Sequence, residues 1–242
     1  MAALDFTGRT VLVTGGTKGI GRVIAATFEQ AGADVVVCAR NEPSDPAPGL
    51  FVPADVRDPA SCQALVDTTV ERFGRLDVLV NNAGGSPDAE AATVSPRFVE
   101  KIVALNLLAP FTLSQLAYDV MRAQEGGGSI VNIGSVSATD PQPGTAAYSA
   151  AKAGLLTLTK ALALEWGPAV RVNHITAGLI RTESERYTEQ TASLIPAGRL
   201  AEPADVANAC LFLASDLASY VNGADLAVHG GGEVPARSVV NP

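Results

Sequence analysis

The run Thr10-Val11-Leu12-Val13-Thr14, followed at once by Gly15-Gly16-Thr17-Lys18-Gly19-Ile20-Gly21, decides how the chain folds. Its first five residues are aliphatic or β-branched and read as a strand. Apolar residues then recur at helical spacing through Ile20, Val23, Ile24, Thr27, Phe28 and Ala31, and Gly32 supplies a stop. Strand, glycine-rich turn and helix in that order place the first helical amides at the strand's carboxyl end, unpaired and positively polarised. Glycines there let a ligand approach the backbone closely, and a pyrophosphate satisfies those amides. The interval from Gly15 to Gly19 is wider than in the GxGxxG fingerprint, so the turn alone is also compatible with a simple change of chain direction. Its setting after an N-terminal strand, in a β-α-β context, favours dinucleotide binding.

Working outward, short apolar runs alternate with helical periods along the whole chain. Asp34–Cys38, Leu50–Pro53, Asp77–Val80, Ser129–Ile133, Val170–Ile175 and Asp225–Val228 read as further strands. They are apolar almost throughout, which suits parallel strands covered on both faces. Cys62, Leu65, Val66, Thr69, Val70 and Phe73 repeat the helical spacing and end at Gly74. The alternation predicts one domain over residues 1–242, an α/β, doubly wound, seven-stranded parallel sheet with helices on both faces. Two segments break the rhythm. Asn41–Gly49 carries three prolines where a crossover helix is expected, and so reads as a loop. Thr182–Arg199 is polar and ends in a Pro-Ala-Gly turn; it reads as a lid over a site or as an ordinary surface connection.

Composition narrows the function classes. Of 242 residues 47% are hydrophobic and 17% charged, enough to bury a large core. A formal net charge of −8 disfavours nucleic acid as a partner, because phosphate backbones need a basic stripe. The three cysteines, Cys38, Cys62 and Cys210, are scattered in apolar contexts and have no metal-ligand spacing, so buried thiols and no metal are expected. Met1-Ala2-Ala3-Leu4-Asp5 lacks a basic region followed by an apolar one, and no apolar run is long enough to span a bilayer. A cytoplasmic location with no membrane partner is the expectation.

The end of the second strand discriminates between nicotinamide cofactors. A carboxylate there binds the adenosine ribose hydroxyls and repels a 2′-phosphate. Ala39, Arg40 and Asn41 stand there instead, and Lys18 lies in the glycine turn. Two cations and no acid favour NADP(H) over NAD(H), although both cations also read as solvated surface charges.

Tyr148 and Lys152 are four apart in a helical stretch, hence on one face and one turn apart. A free phenol ionises near a pKa of about 10, too high for proton exchange near neutrality, and an adjacent ammonium lowers it. On its own the pair also fits a core-edge tyrosine beside a surface lysine. Around it, however, the sequence resembles the short-chain dehydrogenase/reductase family, and in particular its 3-oxoacyl-acyl-carrier-protein reductases. The resemblance covers nearly the whole chain. It rests on TGGTKGIG at Thr14–Gly21, NNAG at Asn81–Gly84, Asn106, Ser135 thirteen residues before Tyr148, and Tyr148-Ser149-Ala150-Ala151-Lys152. Asn173 with Gly178 and Thr182, GRLAEPADVA at Gly198–Ala207 and NGADLAVHGG at Asn222–Gly231 follow in family order.

The resemblance implies a single-domain Rossmann fold and a set of roles. Ser135 hydrogen-bonds the substrate carbonyl, Tyr148 is the acid/base, and Lys152 binds the nicotinamide ribose and lowers the Tyr148 pKa. Asn106 holds a water that links Lys152 to solvent. Gly15, Thr17, Lys18, Gly19, Ile20 and Gly21 cradle the cofactor, and Arg40 meets its 2′-phosphate. Asp55 and Val56 hold the adenine; Asn82, Ala83 and Gly84 line the adenosine ribose side; Gly178, Ile180 and Thr182 meet the nicotinamide. Ser129, Ser137 and Ser149 are alternatives to Ser135, Asn106 also reads as a plain helix polar residue, and Asp55 also reads as a turn acid before Asp58-Pro59. For Asn106 there is one independent reason: Pro110, four residues on, lacks the N–H that bonds its carbonyl in a regular helix, so a kink is expected there and the freed carbonyl is expected to take a bound water.

Three positions depart from the family pattern: Ala177 in place of a proline before Gly178, Gly134 in place of a small hydroxyl residue before Ser135, and His229 in place of an acid before the terminal glycines. A Ser/His/Asp hydrolase is disfavoured, with only His174 and His229 present and no GxSxG elbow. Isomerase or dehydratase relatives carry a longer substrate domain. A non-catalytic dinucleotide-binding regulator is disfavoured because Ser135, Tyr148 and Lys152 are all present. The reading is an NADP(H)-dependent oxidoreductase acting on a small carbonyl or alcohol substrate, with an NAD-dependent alcohol dehydrogenase as the alternative and a homotetramer, or homodimer, as the implied assembly.

Overall fold

In a computed structural model, which describes residues 4–182 and 189–232, the expected sheet is present. Its strands are β1 (Thr10–Thr14), β2 (Asp34–Ala39), β3 (Leu50–Pro53), β4 (Val78–Asn81), β5 (Gly128–Ile133), β6 (Val170–Ala177) and β7 (Asp225–Val228). All pair in parallel in the order β3-β2-β1-β4-β5-β6-β7. The order reverses between β1 and β4, and a crevice at such a switch point is where α/β sheets of this kind bind ligands.

Alternate strand residues feed two cores. Val11, Val13, Val37, Val80 and Ile175 pack with α1 (Gly19–Gln30) and α7 (Pro203–Ala214). Leu12, Val36, Leu79, Ile130 and Val172 pack on the other face with α2 (Pro59–Phe73), α4 (Ala109–Met121) and α5 (Ala146–Trp166). Both faces are therefore dry, which explains why the strands read as continuous apolar runs. Gly74 ends α2 with φ 77°, the left-handed cap conformation that the sequence stop predicts. Asp58 caps the other end by accepting the Ala60 N–H (3.2 Å) ahead of Pro59.

Strand boundaries differ slightly from the sequence reading. The fourth strand starts at Val78 rather than Asp77; the Asp77 carboxylate accepts from the Thr10 N–H (2.8 Å) and the Arg75 guanidinium (2.6 and 2.7 Å) just before it. The sixth runs on to Ala177, which pairs with Val228. Asn41–Gly49 is a loop, as its prolines require. Of the candidate lid Thr182–Arg199, residues 183–188 lie outside the described residues, as does the tail from Glu233. The rest of the lid includes α6 (Glu189–Ser193), and Ala192 and Ile195 bury together with Leu200. Cys38, Cys62 and Cys210 are buried and unpaired, and burial pushes the first two thiols up to about 12 and about 11. Among the described residues no group of His, Cys, Asp and Glu is placed to hold a metal, and no helix is long and apolar enough to cross a membrane.

Candidate active site at the carboxyl edge of the sheet

The glycine turn sits at the switch point. Arg22 N–H makes the first helical bond of α1, to Lys18 O (3.2 Å), so the amides of Gly19, Ile20 and Gly21 precede it and Lys18 offers no side-chain cap. Gly15 and Gly19 have φ 64° and 51°, which glycine adopts without strain. The turn is stitched to the end of β4. Thr14 Oγ1 accepts the Asn82 and Ala83 N–H groups (3.0 Å each), and Asn82 Nδ2 donates to the Thr14 carbonyl (2.8 Å). Asn82 thereby holds the turn as well as flanking the crevice. A Cβ on Gly21 would overlap the Gly15 carbonyl and Asn82 Nδ2. Gly21→Ala is accordingly expected to spread the turn and weaken nicotinamide dinucleotide binding by about tenfold or more, roughly the worth of one lost charge-assisted hydrogen bond. Fluorescence titration with the reduced cofactor checks this; an unchanged affinity would remove the turn from the site.

Beyond the carboxyl end of β2 Lys18 and Arg40 are exposed, and neither of the two residues after the strand, Arg40 and Asn41, is acidic; Glu42 comes third. Asp55 lies beyond β3, but its oxygens are already engaged by Arg57, Nε to Oδ1 at 2.9 Å and Nη2 to Oδ2 at 2.6 Å. The Arg57 guanidinium holds the Asp55 carboxyl down at about 2, with a smaller contribution from Arg40. The sequence reading missed Arg57, a third cation at this end; the short Asp-x-Arg spacing was its only signal. Asp58 caps α2, and Asp55 closes the turn before it, its Oδ1 also accepting the Arg57 N–H (3.1 Å). Val56 is buried beside it, its carbonyl meeting the Cys62 thiol (3.2 Å).

The other end gathers the remaining candidates. Lys152 is buried, donates from Nζ to the Ile133 carbonyl at the end of β5 (2.7 Å), and lies 5.8 Å from the centre of the Tyr148 ring. Burial pushes its pKa down to about 8. Ser135 follows β5 and accepts the Ser137 N–H (3.2 Å), starting a short turn, Val136–Ala138, that packs on α5. Two of the alternatives fall elsewhere: Ser129 is buried on the α7 face near the Leu213 carbonyl (3.4 Å), and Ser149 is buried against Thr145 Oγ1 (2.9 Å); the third, Ser137, lies in the same turn as Ser135 and is half-buried like it.

Asn106 is fully buried in a π-helical turn, Ala104–Leu108, between α3 (Pro96–Val103) and α4. The irregular helix that Pro110 predicts is thus present. The Asn106 side chain has partners of its own, apart from the backbone carbonyl at which the water is expected. Oδ1 accepts the Gly85 N–H (2.9 Å), and Nδ2 donates to Gly85 O (3.0 Å) and Ile102 O (2.9 Å). It clamps the strap after β4 onto the helix. A Cβ on Gly84 would come within 2.8 Å of Asn106 Oδ1 and 3.3 Å of Lys152 Nζ, so a bare backbone is needed where these groups converge.

Gly178 leaves β6 against His229, its N–H bonding the Val228 carbonyl (3.0 Å). Ile180 is buried and bridges Ala201, and Thr182 is exposed. Val136, Gly178, Leu179, Ile195, His229 and Gly232 line a small pocket at this edge. The arrangement brings the glycine turn and Ser135, Tyr148 and Lys152 to the same edge of one sheet.

Known proteins are similar to this chain in sequence and fold. Residues 15–233 match the family model described as enoyl-(acyl carrier protein) reductase. The chain is 39% identical to the 3alpha-hydroxysteroid dehydrogenase of Mediterraneibacter gnavus, over 92% of this chain and 96% of that protein. It is 38% identical to the 3-oxoacyl-[acyl-carrier-protein] reductase FabG of Escherichia coli, over 94% and 98%. The ligand-free aldohexose dehydrogenase of Thermoplasma acidophilum superposes with a TM-score of 0.88 at 31% identity, over 94% of each chain. With the fold, the glycine turn and these likenesses in agreement, the chain belongs to the short-chain dehydrogenase/reductase family, oxidoreductases that act on alcohol and carbonyl groups with a nicotinamide dinucleotide.

Proposed function

We propose that the protein is an NADP(H)-dependent reductase or dehydrogenase of a small carbonyl or alcohol substrate, with Tyr148 as the acid/base. The observation that carries it is the buried Lys152 ammonium 5.8 Å from the Tyr148 ring, at the end of the strand that Ser135 follows. The nicotinamide, when bound, supplies or accepts the hydride. Tyr148 gives its phenolic proton to the carbonyl oxygen, or takes it in the reverse direction, and Lys152 favours the phenolate by charge. Ser135 donates to the same carbonyl oxygen and fixes its angle. Asn106, by clamping Gly85, holds the strap whose Gly84 backbone lies against Lys152. Val136, Leu179 and Ile195 offer the substrate an apolar wall. The segment Thr182–Arg199 serves as a lid over the one domain, and the chain works in the cytoplasm.

Gly15, Thr17, Gly19, Ile20 and Gly21 take the pyrophosphate; Ala83, Gly84 and Val56 flank the adenosine; Gly178, Ile180 and Thr182 take the nicotinamide carboxamide. Lys18 and Arg40 take the 2′-phosphate, and the absence of an acid at Ala39, Arg40 and Asn41, the end of β2, is what favours NADP(H) over NAD(H). Ketone reduction followed at the cofactor's absorbance tests this. Arg40→Asp is expected to raise KM for NADPH by about 10- to 100-fold and lower it for NADH, because it removes a charge-assisted pair and adds a repulsive charge. Wild-type preference for NADH would overturn the cofactor assignment.

Assembly into a homotetramer, or a homodimer, accounts for large apolar side chains left exposed: Leu108 and Phe111 near Asn106, Leu164 on α5, and Leu217 and Tyr220 before β7. Light scattering that gives the mass of one chain would contradict it.

A further inference from the structure

Behind the site, one polar row crosses four strands in register: Asn81 on β4, Asn132 on β5, His174 on β6 and Asp225 on β7. Asn81 Nδ2 donates to Asn132 Oδ1 (2.8 Å), and Asn132 Nδ2 donates to Thr159 Oγ1 on α5 (2.9 Å). His174 is fully buried and does not join that chain. Its Nδ1 faces Asp225 Oδ1 at 2.8 Å, and the same oxygen accepts the Thr176 hydroxyl (2.7 Å). An ionised carboxylate only accepts, so Nδ1 carries the proton and Nε2 presents a bare lone pair. Nε2 is buried and has no hydrogen-bond partner among the described residues.

The ring is aimed at the end of β5. A Cβ at Gly134 would run into Cε1 and Nε2 of His174, so the imidazole occupies the space that a side chain at position 134 would fill. Gly134 is the middle of a corner on which the site depends. Ile133, before it, gives its carbonyl to Lys152 Nζ; Gly134 donates its N–H to Ile175 O (2.8 Å); Ser135 follows. An aliphatic residue at 174 would fill a core without burying an unsatisfied lone pair, which is costly.

We propose that His174 is a positioning residue for hydride transfer: oriented by Asp225, its neutral imidazole fills the space left by Gly134 and fixes the Ile133–Ser135 corner that places both Lys152 and Ser135. This rests on the function proposed above. The charged groups facing the ring are Asp225 from β7, which favours protonation, and Lys152 and Lys160 from α5, which oppose it; Asn132 and Gly134 on β5 carry no charge. Burial, the largest influence, holds the His174 pKa below its ordinary value. Protonation at low pH places a second buried cation beside Lys152 and loosens the corner.

Three measurements test this. Only two histidines are present, so nitrogen NMR of wild type against His174→Leu assigns the His174 signal. A neutral Nδ1–H tautomer at pH 7 is expected; an Nε2–H tautomer or a cation overturns the proposal. In steady-state ketone reduction, His174→Leu is expected to lose kcat by about 10- to 100-fold with cofactor Kd within about twofold of wild type, the size of effect a small misplacement of reacting groups produces. Tyr148 must be protonated for reduction, so it gives an alkaline limb only. A wild-type acid limb below the ordinary histidine pKa of about 6.5 belongs to His174 and should vanish in His174→Leu. Unchanged kcat and pH profile in that variant reduce His174 to packing. Should His174→Leu fail to fold, Gly134→Ser, His174→Ala and their double variant decide: shared space requires the double variant to be more active than Gly134→Ser alone, and additive losses contradict it. A wild type that turns over no ketone with either cofactor sinks the function reading itself and the inference with it, an outcome distinct from normal wild-type turnover retained in His174→Leu.

Discussion

Tyr148→Phe is expected to lower kcat for ketone reduction by about 10²- to 10⁴-fold, the range that a positioned general acid contributes. The ring stays, so its packing and its place beside Lys152 stay with it; the hydroxyl, and with it the proton, is gone. Cofactor affinity and thermal stability should therefore remain close to wild type, and KM for the ketone should change little. Loss concentrated in kcat is the signature of an interaction made in the transition state. Steady-state kinetics beside a thermal melt checks both halves. A variant that keeps wild-type kcat would remove Tyr148 from the proton transfer, and one that no longer folds would recast the phenol as a structural group.

Lys152→Met should separate function from stability more sharply. The ammonium is fully buried, with its carbonyl partner at Ile133, and burial pushes its pKa from 10.5 down to about 8. The unfolded chain then holds this proton more tightly than the folded one between pH 8 and 10.5. Stability from this group thus rises with pH through that window, and below it the folded protein carries the full cost of a buried cation. Replacing Lys152 with a side chain of similar length removes that cost and leaves the Ile133 carbonyl without its donor. Net, the cofactor-free variant is expected to be more stable at pH 7 by about 1–2 kcal/mol, or roughly 2–8 °C in Tm. The advantage should shrink towards pH 10. Turnover should fall by about 10²- to 10⁴-fold, because the phenol loses the charge that tunes it. Melts across pH together with kinetics are the check. A destabilised variant at pH 7, or one with normal turnover, would show that the ammonium is not held at the expense of stability for catalysis.

Much of this was legible in the chain itself because the deciding features are local. A strand that ends in glycines and opens a helix can be read from Thr10–Gly21, and both cores follow from runs too apolar for a sheet with one wet face. Gly74 and the prolines of Asn41–Gly49 mark their turns by backbone chemistry alone. What could not be read was set by contacts distant in sequence. Arg57 reaches back to Asp55 across two residues, but that it takes both carboxylate oxygens depends on the path after β3. Asn106 was expected to act near Lys152; that its amide is spent on Gly85 needs the strap and the π-helical turn to meet. His174 looked like a strand residue, and its meaning comes from register with Asp225 and from the missing side chain at Gly134. The Gly134 departure was visible in the sequence, whereas the ring that takes its place was not.

The central claim, a folded site built for NADP(H), is tested most directly by thermal unfolding with NADPH and with NADH at matched concentrations. A ligand that binds only the folded state raises stability by RT ln(1 + [L]/Kd), about 2.7 kcal/mol at a hundredfold excess over Kd, or roughly 5–10 °C for a chain of this size. Protection by NADPH that exceeds protection by NADH, and that Arg40→Asp reverses, is the predicted result. Protection by neither cofactor would contradict it.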